Sequence, residues 1–467
     1  ETPSGQTTEV ENNQALADVE LAQPALEALQ TRSGMTGQRH TFSQPALPAV
    51  ASAHADQSAF WEGAQDRERY QNLDGNPVQR AAENPVSTFS IDVDTSSYAN
   101  VRRLLQQGRL PPSDAVRVEE LINYFNYDYA VPTEGEAPFS VNIEQAQTPW
   151  NRDTRLLQIG IQGYEIPQAD LPPANLVFLI DVSGSMNGPN RLPLVINGLK
   201  LLTRQLSAED RIAIVVYAAN TGVVLESTPG SETATILAAL ERLQAGGSTN
   251  GGDGIRLAYA QARQGYIDGG INRVILATDG DFNVGMTNHE ALLDLVRQQR
   301  KSGISLTTLG VGSGNYNDYL MDQLAAAGDG NAAYIDTLNE ARKVLVEERH
   351  STLMTIARDV KIQVEFNPAV VAEYRLIGYE NRQLEREDFN NDAVDAGDIG
   401  AGHTVTALYE VALVGSGGEQ IDALRYAGER TPAEAHRNDE IAFVRMRYKN
   451  PSETSSRLIE TPVPARL

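Results

Sequence analysis

An aspartate followed by two serines at alternate positions, Asp181-Val182-Ser183-Gly184-Ser185, closes an apolar run at 175–180. Such spacing lets one tight loop aim a carboxylate and two hydroxyls at a single point. A second oxygen source is the glycine-rich stretch Gly246-Gly247-Ser248-Thr249-Asn250-Gly251-Gly252, where an unencumbered backbone lets a hydroxyl approach closely. Thr249 is the better candidate there than Ser248. A third source ends another apolar run, Val274-Ile275-Leu276-Ala277-Thr278-Asp279-Gly280, so Asp279 occupies a position corresponding to that of Asp181. Carboxylate and hydroxyl oxygens without nitrogen or sulfur suit a hard octahedral cation, magnesium first, with manganese or calcium as alternatives.

These residues need elements to bring them together, and the surrounding pattern supplies them. Short apolar runs at 175–180, 211–217, 222–226, 273–278, 305–310 and 332–335 suit strands buried on both faces. Amphipathic stretches at 192–205, 232–243, 254–264, 288–301, 316–327 and 338–356 alternate with most of them. The pattern predicts a doubly wound, mainly parallel α/β sheet with one hairpin over 217–226. In the strand order 3-2-1-4-5-6, the first and fourth strands flank the crevice where ligands bind, so Asp181 and Asp279 would face each other.

Runs rich in β-branched and aromatic residues flank this region on both sides, at 139–146 and 155–162 before it, and at 360–366, 371–377, 403–413 and 440–448 after it. Left separate, each flank would expose sheet edges, so the expectation is one β-rich, sandwich-like domain at 136–169 and 357–467 with the α/β domain, 170–356, inserted. Phe89, Ile91 and Val93 alternate as a strand requires, and helical stretches at 98–107 and 116–125 follow, which predicts a small α/β module at 86–135. Ser96 or Ser97 is the expected cap, and Asp92 and Asp94 read as part of the same capping sequence. Residues 1–85, rich in Gln, Ala, Ser, Thr and Pro, read as a flexible tether, with at most a loose helix over 13–30 that Pro24 interrupts.

The set Asp181-x-Ser183-x-Ser185, then Thr249, then Thr278-Asp279-Gly280 resembles the metal-ion-dependent adhesion site of von Willebrand factor A domains. That resemblance implies that Ser183, Ser185 and Thr249 coordinate a cation directly, and that Asp181 and Asp279 do so directly or through water. A sixth position is then left for water or for an acidic side chain of a protein partner. Asp253 and Asp281 are candidates for an outer shell. Phe89-Ser90-Ile91-Asp92-Val93-Asp94-Thr95-Ser96-Ser97-Tyr98 and Leu121-Ile122-Asn123-Tyr124-Phe125 are similar to an extension found in bacterial exported von Willebrand A proteins, often lipoproteins. The implied location is the periplasm or cell surface, with lipid anchoring in a precursor; the chain opens on Glu1 and reads as processed or trimmed.

Composition narrows the function classes. With 62 acidic against 38 basic side chains and a formal charge of -24, the chain repels phosphate backbones, so no nucleic-acid partner is expected. The absence of cysteine excludes disulfides, thiolate metal sites and cysteine nucleophiles. No run approaches the roughly 20 apolar residues of a membrane span. The six histidines show no metal-binding spacing, Gly310, Gly312 and Gly314 lack the full dinucleotide fingerprint, and Asp181 stands where a serine-nucleophile elbow needs glycine. The leading expectation is a non-enzymatic, cation-dependent protein-binding module of adhesion type. A scaffold subunit working with an ATPase is the second reading. A metal-assisted hydrolase ranks last, with Asp281 as the least poor general base.

Overall fold

The computed structural model describes residues 67–132, 137–167, 170–248, 251–280, 289–422 and 439–466. In chain order, β1 (Gln79–Arg80) and β2 (Val86–Ser90) lead into α1 (Ser96–Gln106) and α2 (Val118–Asn123), followed by β3 (Phe139–Gln147) and β4 (Thr154–Gly163). The α/β region then runs β5 (Ala174–Asp181), α3 (Leu192–Thr203), β6 (Arg211–Tyr217), β7 (Thr221–Pro229), α4 (Thr233–Glu241) and α5 (Gly251–Gln264). It continues through β8 (Ile271–Thr278), α6 (His289–Arg300), β9 (Ser305–Val311), α7 (Asp318–Ala327), β10 (Ala332–Ile335), α8 (Leu338–Arg342) and α9 (Arg349–Leu353). The remaining strands are β11 (Thr355–Phe366), β12 (Val371–Ile377), β13 (Gly397–Gly400), β14 (Thr404–Leu413), β15 (Glu440–Lys449) and β16 (Arg457–Pro464).

Six strands of the α/β region form one sheet in the order β10-β9-β8-β5-β6-β7, parallel throughout except for β7, which returns antiparallel along β6. Every residue of β5 is buried. Successive side chains of a strand point to opposite faces. Phe178 and Ile180 accordingly join Leu199 of α3 in one core, while Val177 and Leu179 join Ile255 of α5 and Leu292 of α6 in the other. Helices thus cover both faces, which is why the strands read as unbroken apolar runs rather than alternating ones.

Two antiparallel sheets draw on strands from either side of that region. One has the order β1-β12-β14-β4-β3, and the other the order β13-β11-β15-β16 with β2 also on β11. They share a single core in which Ile159 and Ile161 of β4 and Tyr409 and Val411 of β14 meet Ile362 and Val364 of β11 and Val444 and Met446 of β15. Phe366 and Tyr374 stack across it, 4.1 Å between ring centres.

Several elements depart from the sequence pattern. Order extends upstream of residue 86: Arg67 and Arg69 donate backbone bonds to Gly314 and Tyr316 at 2.8 and 2.9 Å, and β1 pairs with β12. Backbone pairing to a preformed edge needs few apolar side chains, so the polar composition of 67–85 concealed it. The single helix expected over 338–356 is broken into α8, a π-helical turn at Lys343–Glu347, and α9; Ile356 belongs to β11. Strands β1, β13 and β16 have no counterpart in the sequence pattern. In β16, Pro462 and Pro464 sit on an edge strand, where the missing amide donors are tolerated.

Asp92 and Asp94 do not cap α1. Thr95 stands at its N-terminus without a side-chain cap bond. Asp92 Oδ1 does accept the Asp94 amide at 3.0 Å, but both carboxylates are buried in a charged clasp. Arg382 pairs with Asp92, Asp94 and Asp322 at 3.0, 3.2 and 3.1 Å, and Arg117 pairs with Glu120, Asp318 and Asp322 at 3.3, 2.9 and 3.6 Å. This clasp joins the segment before α1, the α2 region, α7 of the α/β region, and the loop after β12.

Candidate metal centre

Asp181 is the last residue of β5, and Asp279 follows the last residue of β8. The two strands are parallel neighbours in register, with Ile180 opposite Ala277. From these strand ends β5 leads to α3 on one face of the sheet and β8 leads towards α6 on the other. The chain therefore parts between the two carboxylates, at the place where doubly wound sheets usually have their ligand crevice.

Asp181 has no solvent exposure. Its Oδ1 accepts the Ser183 amide at 2.8 Å, so the loop curls back on the carboxylate that begins it. Its Oδ2 accepts Thr278 Oγ1 at 3.0 Å and the Tyr217 hydroxyl at 3.2 Å. Burial pushes the Asp181 carboxyl up to about 6 against the opposing bonds from Ser183, and the charge of Asp279 adds to the rise. Burial, with the Asp181 charge beside it, also raises the Tyr217 phenol well above its ordinary value, so Tyr217 stays a neutral donor.

Ser183 Oγ and Ser185 Oγ lie 3.0 Å apart. Ligands at adjacent corners of an octahedral magnesium ion, each about 2.1 Å from it, stand about 3.0 Å from one another. A hydrogen bond between the two hydroxyls holds them at a spacing compatible with shared coordination. Backbone bonds fix the loop that carries them: the Gly184 amide donates to Gly247 at 2.9 Å and the Gly246 amide donates to Val182 at 2.8 Å. The glycine-rich stretch is thereby tied to the Asp181 loop.

Asp279 is also fully buried, and Arg191 Nη1 approaches its Oδ2 to 3.3 Å. The guanidinium is held on its other sides by the Ser185 carbonyl, by the Ser313 carbonyl at 2.6 Å and by Asn315 Oδ1 at 3.3 Å. Behind Asp279, Gly280 adopts φ +93°, and a Cβ there would stand 2.4 Å from the Asn317 amide nitrogen. The loop after β9 thus packs directly against the strand end that presents Asp279. That loop is in turn held by the upstream segment, since Glu68 Oε1 accepts the Gly314 amide at 2.8 Å.

Asp181, Ser183, Ser185 and Asp279 converge at the carboxyl ends of the two central strands. Thr249 and Asp281 lie outside the described residues. Asp253 stands in the first turn of α5, 67% exposed, and pairs with Arg256 at 3.5 Å, so the helix directs it to solvent. Tyr217 and Arg191 were given no role from the sequence. Tyr217 ends a parallel strand adjacent to β5, a position that could have flagged it, whereas nothing local marks Arg191. Among the described residues no cluster of three or more His, Cys, Asp or Glu side chains could hold a metal. The serine hydroxyls together with the two aspartates form a mixed all-oxygen set, whose chemistry suits a hard divalent ion.

The doubly wound sheet, the paired strand ends and the Asp-x-Ser-x-Ser loop together define a von Willebrand factor type A domain, and the family model for that domain matches residues 175–347. A second model, described as von Willebrand factor, matches 64–158, and a third, the C-terminal region of the uncharacterized protein YfbK, matches 351–467. The Escherichia coli (strain K12) protein YfbK is 52% identical over 401 residues, spanning 85% of this chain and 70% of that protein. The chain belongs to the YfbK family. The Synechocystis protein sll0103 is 25% identical over 296 residues, 62% of this chain and 65% of its own. Among solved structures, a von Willebrand factor type A protein from Catenulispora acidiphila covers 71% of this chain and 74% of its own at 15% identity, with a TM-score of 0.42.

Proposed function

We propose that the chain is a divalent-cation-dependent protein-binding module that recognises an acidic side chain of its partner, displayed in the periplasm or at the cell surface. Von Willebrand A domains commonly mediate metal-dependent protein interaction. The observation that carries the reading is the pair of buried carboxylates, Asp181 and Asp279, on adjoining parallel strand ends beside two hydroxyls 3.0 Å apart. Two desolvated carboxylates side by side are costly unless a positive charge is shared between them.

Ser183 and Ser185 would donate hydroxyl oxygens to the cation, and Asp181 and Asp279 would supply compensating charge, directly or through water. The bound cation would supply Lewis acidity toward a partner carboxylate. The protein's own part is orientation. Thr278 and Tyr217 donate to Asp181 and fix its rotamer, and the Gly184 and Gly246 bonds hold the serine loop. Among the described residues no helix is long and apolar enough to cross a membrane.

Calorimetric titration with magnesium, manganese and calcium tests the site, with pull-down in the presence and absence of chelator testing the function. Wild type is expected to bind at least one of these ions, and Asp181→Ala to lose it. An interactome indifferent to both chelator and Asp181→Ala would overturn the proposal. Protease accessibility on intact cells checks the location.

A further inference from the structure

Arg191 is fixed at the edge of the metal centre by more contacts than charge neutralisation needs. Its guanidinium meets the carbonyls of Ser185 and Ser313, Asn315 Oδ1, and Asp279 Oδ2. It belongs to the residue just before α3, and its side chain keeps 20% exposure, so the fork is partly open to solvent. Gly312 leaves room for it, because a Cβ there would lie 2.6 Å from Arg191 Nε. Three chain segments, the serine loop, the Asp279 strand end and the loop after β9, thus converge on one permanent positive charge.

Asp181, Asp279 and Arg191 sum to one negative charge. A divalent cation bound among them leaves the centre one positive charge in excess, which a single partner carboxylate cancels. Without Arg191, the two aspartates and the cation already balance, and an incoming carboxylate would leave a net negative charge in a buried crevice. Arg191 also competes with the cation for Asp279.

Resting on the reading of the site as a cation-dependent binder of acidic side chains, we propose that Arg191 is its specificity-determining residue. Its charge weakens cation binding and strengthens capture of an anionic partner group once the cation is bound. The ligand class it selects is a carboxylate-bearing peptide over a neutral one.

The test uses the full chain with Arg191→Gln, Arg191→Met and Arg191→Lys. Manganese alone is titrated calorimetrically into metal-free protein, and hexaglutamate is then titrated at saturating manganese, with hexaglutamine as the neutral control. Both neutral variants are expected to bind manganese about three- to tenfold more tightly than wild type and hexaglutamate about three- to tenfold more weakly. Arg191→Lys is expected to stay near wild type in both. Thermal melts identify a variant that fails to fold, and either neutral variant suffices. Manganese affinity that is unchanged or weaker in a folded neutral variant overturns the proposal. Wild type that binds manganese but shows no preference for hexaglutamate over hexaglutamine overturns the acidic-partner reading and the capture role with it. The manganese arm alone still decides whether Arg191 competes for Asp279.

Discussion

At the residue scale, that Asp181, Ser183, Ser185 and Asp279 come together was legible because their spacing is local and each aspartate follows an apolar run that must be a strand. Arg191 and Tyr217 were not, because their roles arise from neighbours distant in the chain: Tyr217 reaches Asp181 across adjacent strands, and Arg191 reaches Ser313 through a loop 122 positions away. Glu119 was equally hidden. It is fully buried on α2, and burial, reinforced by the charge of Asp92, pushes its carboxyl up to about 7. A carboxyl raised on folding favours the protonated form, so its cost is complete above about pH 7 and is relieved as pH falls towards the ordinary carboxylate value. Glu119→Gln is therefore expected to be more stable than wild type at pH 8, by on the order of 2 kcal/mol, with the advantage disappearing near pH 5. Urea unfolding at the two pH values checks this; an advantage independent of pH would refute it.

At the element scale, the apolar runs of the α/β region announced strands β5 to β10, and their order places β5 beside β8. The elements that escaped notice are short or lie at sheet edges. β1 has two residues, β13 is paired with β11 through shifts in register, and β16 carries proline. Their residues answer to what they lie against more than to an intrinsic period. The junction of β8 with the loop after β9 shows how little slack the site has. Gly280→Ala would place a methyl against the Asn317 amide in a backbone conformation that L-residues rarely adopt. The substitution is expected to cost about 2–4 kcal/mol and to displace Asp279, so manganese affinity should fall even below the unfolding temperature. Denaturant titration and calorimetry on the same sample separate the two effects. Wild-type affinity in a folded Gly280→Ala chain would show that the loop does not set Asp279.

At the scale of the whole molecule, the two flanking runs of strands were visible, but which strand pairs with which was not, since several pairings satisfy the same alternation. The clasp was invisible for a related reason: Asp92, Asp322 and Arg382 are scattered along the chain and carry no period. Removing Arg382 strands buried carboxylates, so Arg382→Ala is expected to destabilise the protein by about 3–5 kcal/mol. Loss of protection from hydrogen exchange should then appear both in α1 and in α7. A uniform loss over all elements, or none, would argue against a joining role. The arrangement of strands also has a temporal consequence. β4 ends at Gly163, and its partner β14 begins at Thr404, with the entire α/β region synthesised between them. At about 5–20 residues per second, the ribosome needs on the order of 10–50 s to deliver that partner. The β3–β4 hairpin, with Ile159 and Ile161 destined for the core, waits through that interval with an open edge. The parallel sheet, whose strands are all made in the meantime, can be complete before its host closes, and the order of birth along the chain becomes an order of assembly.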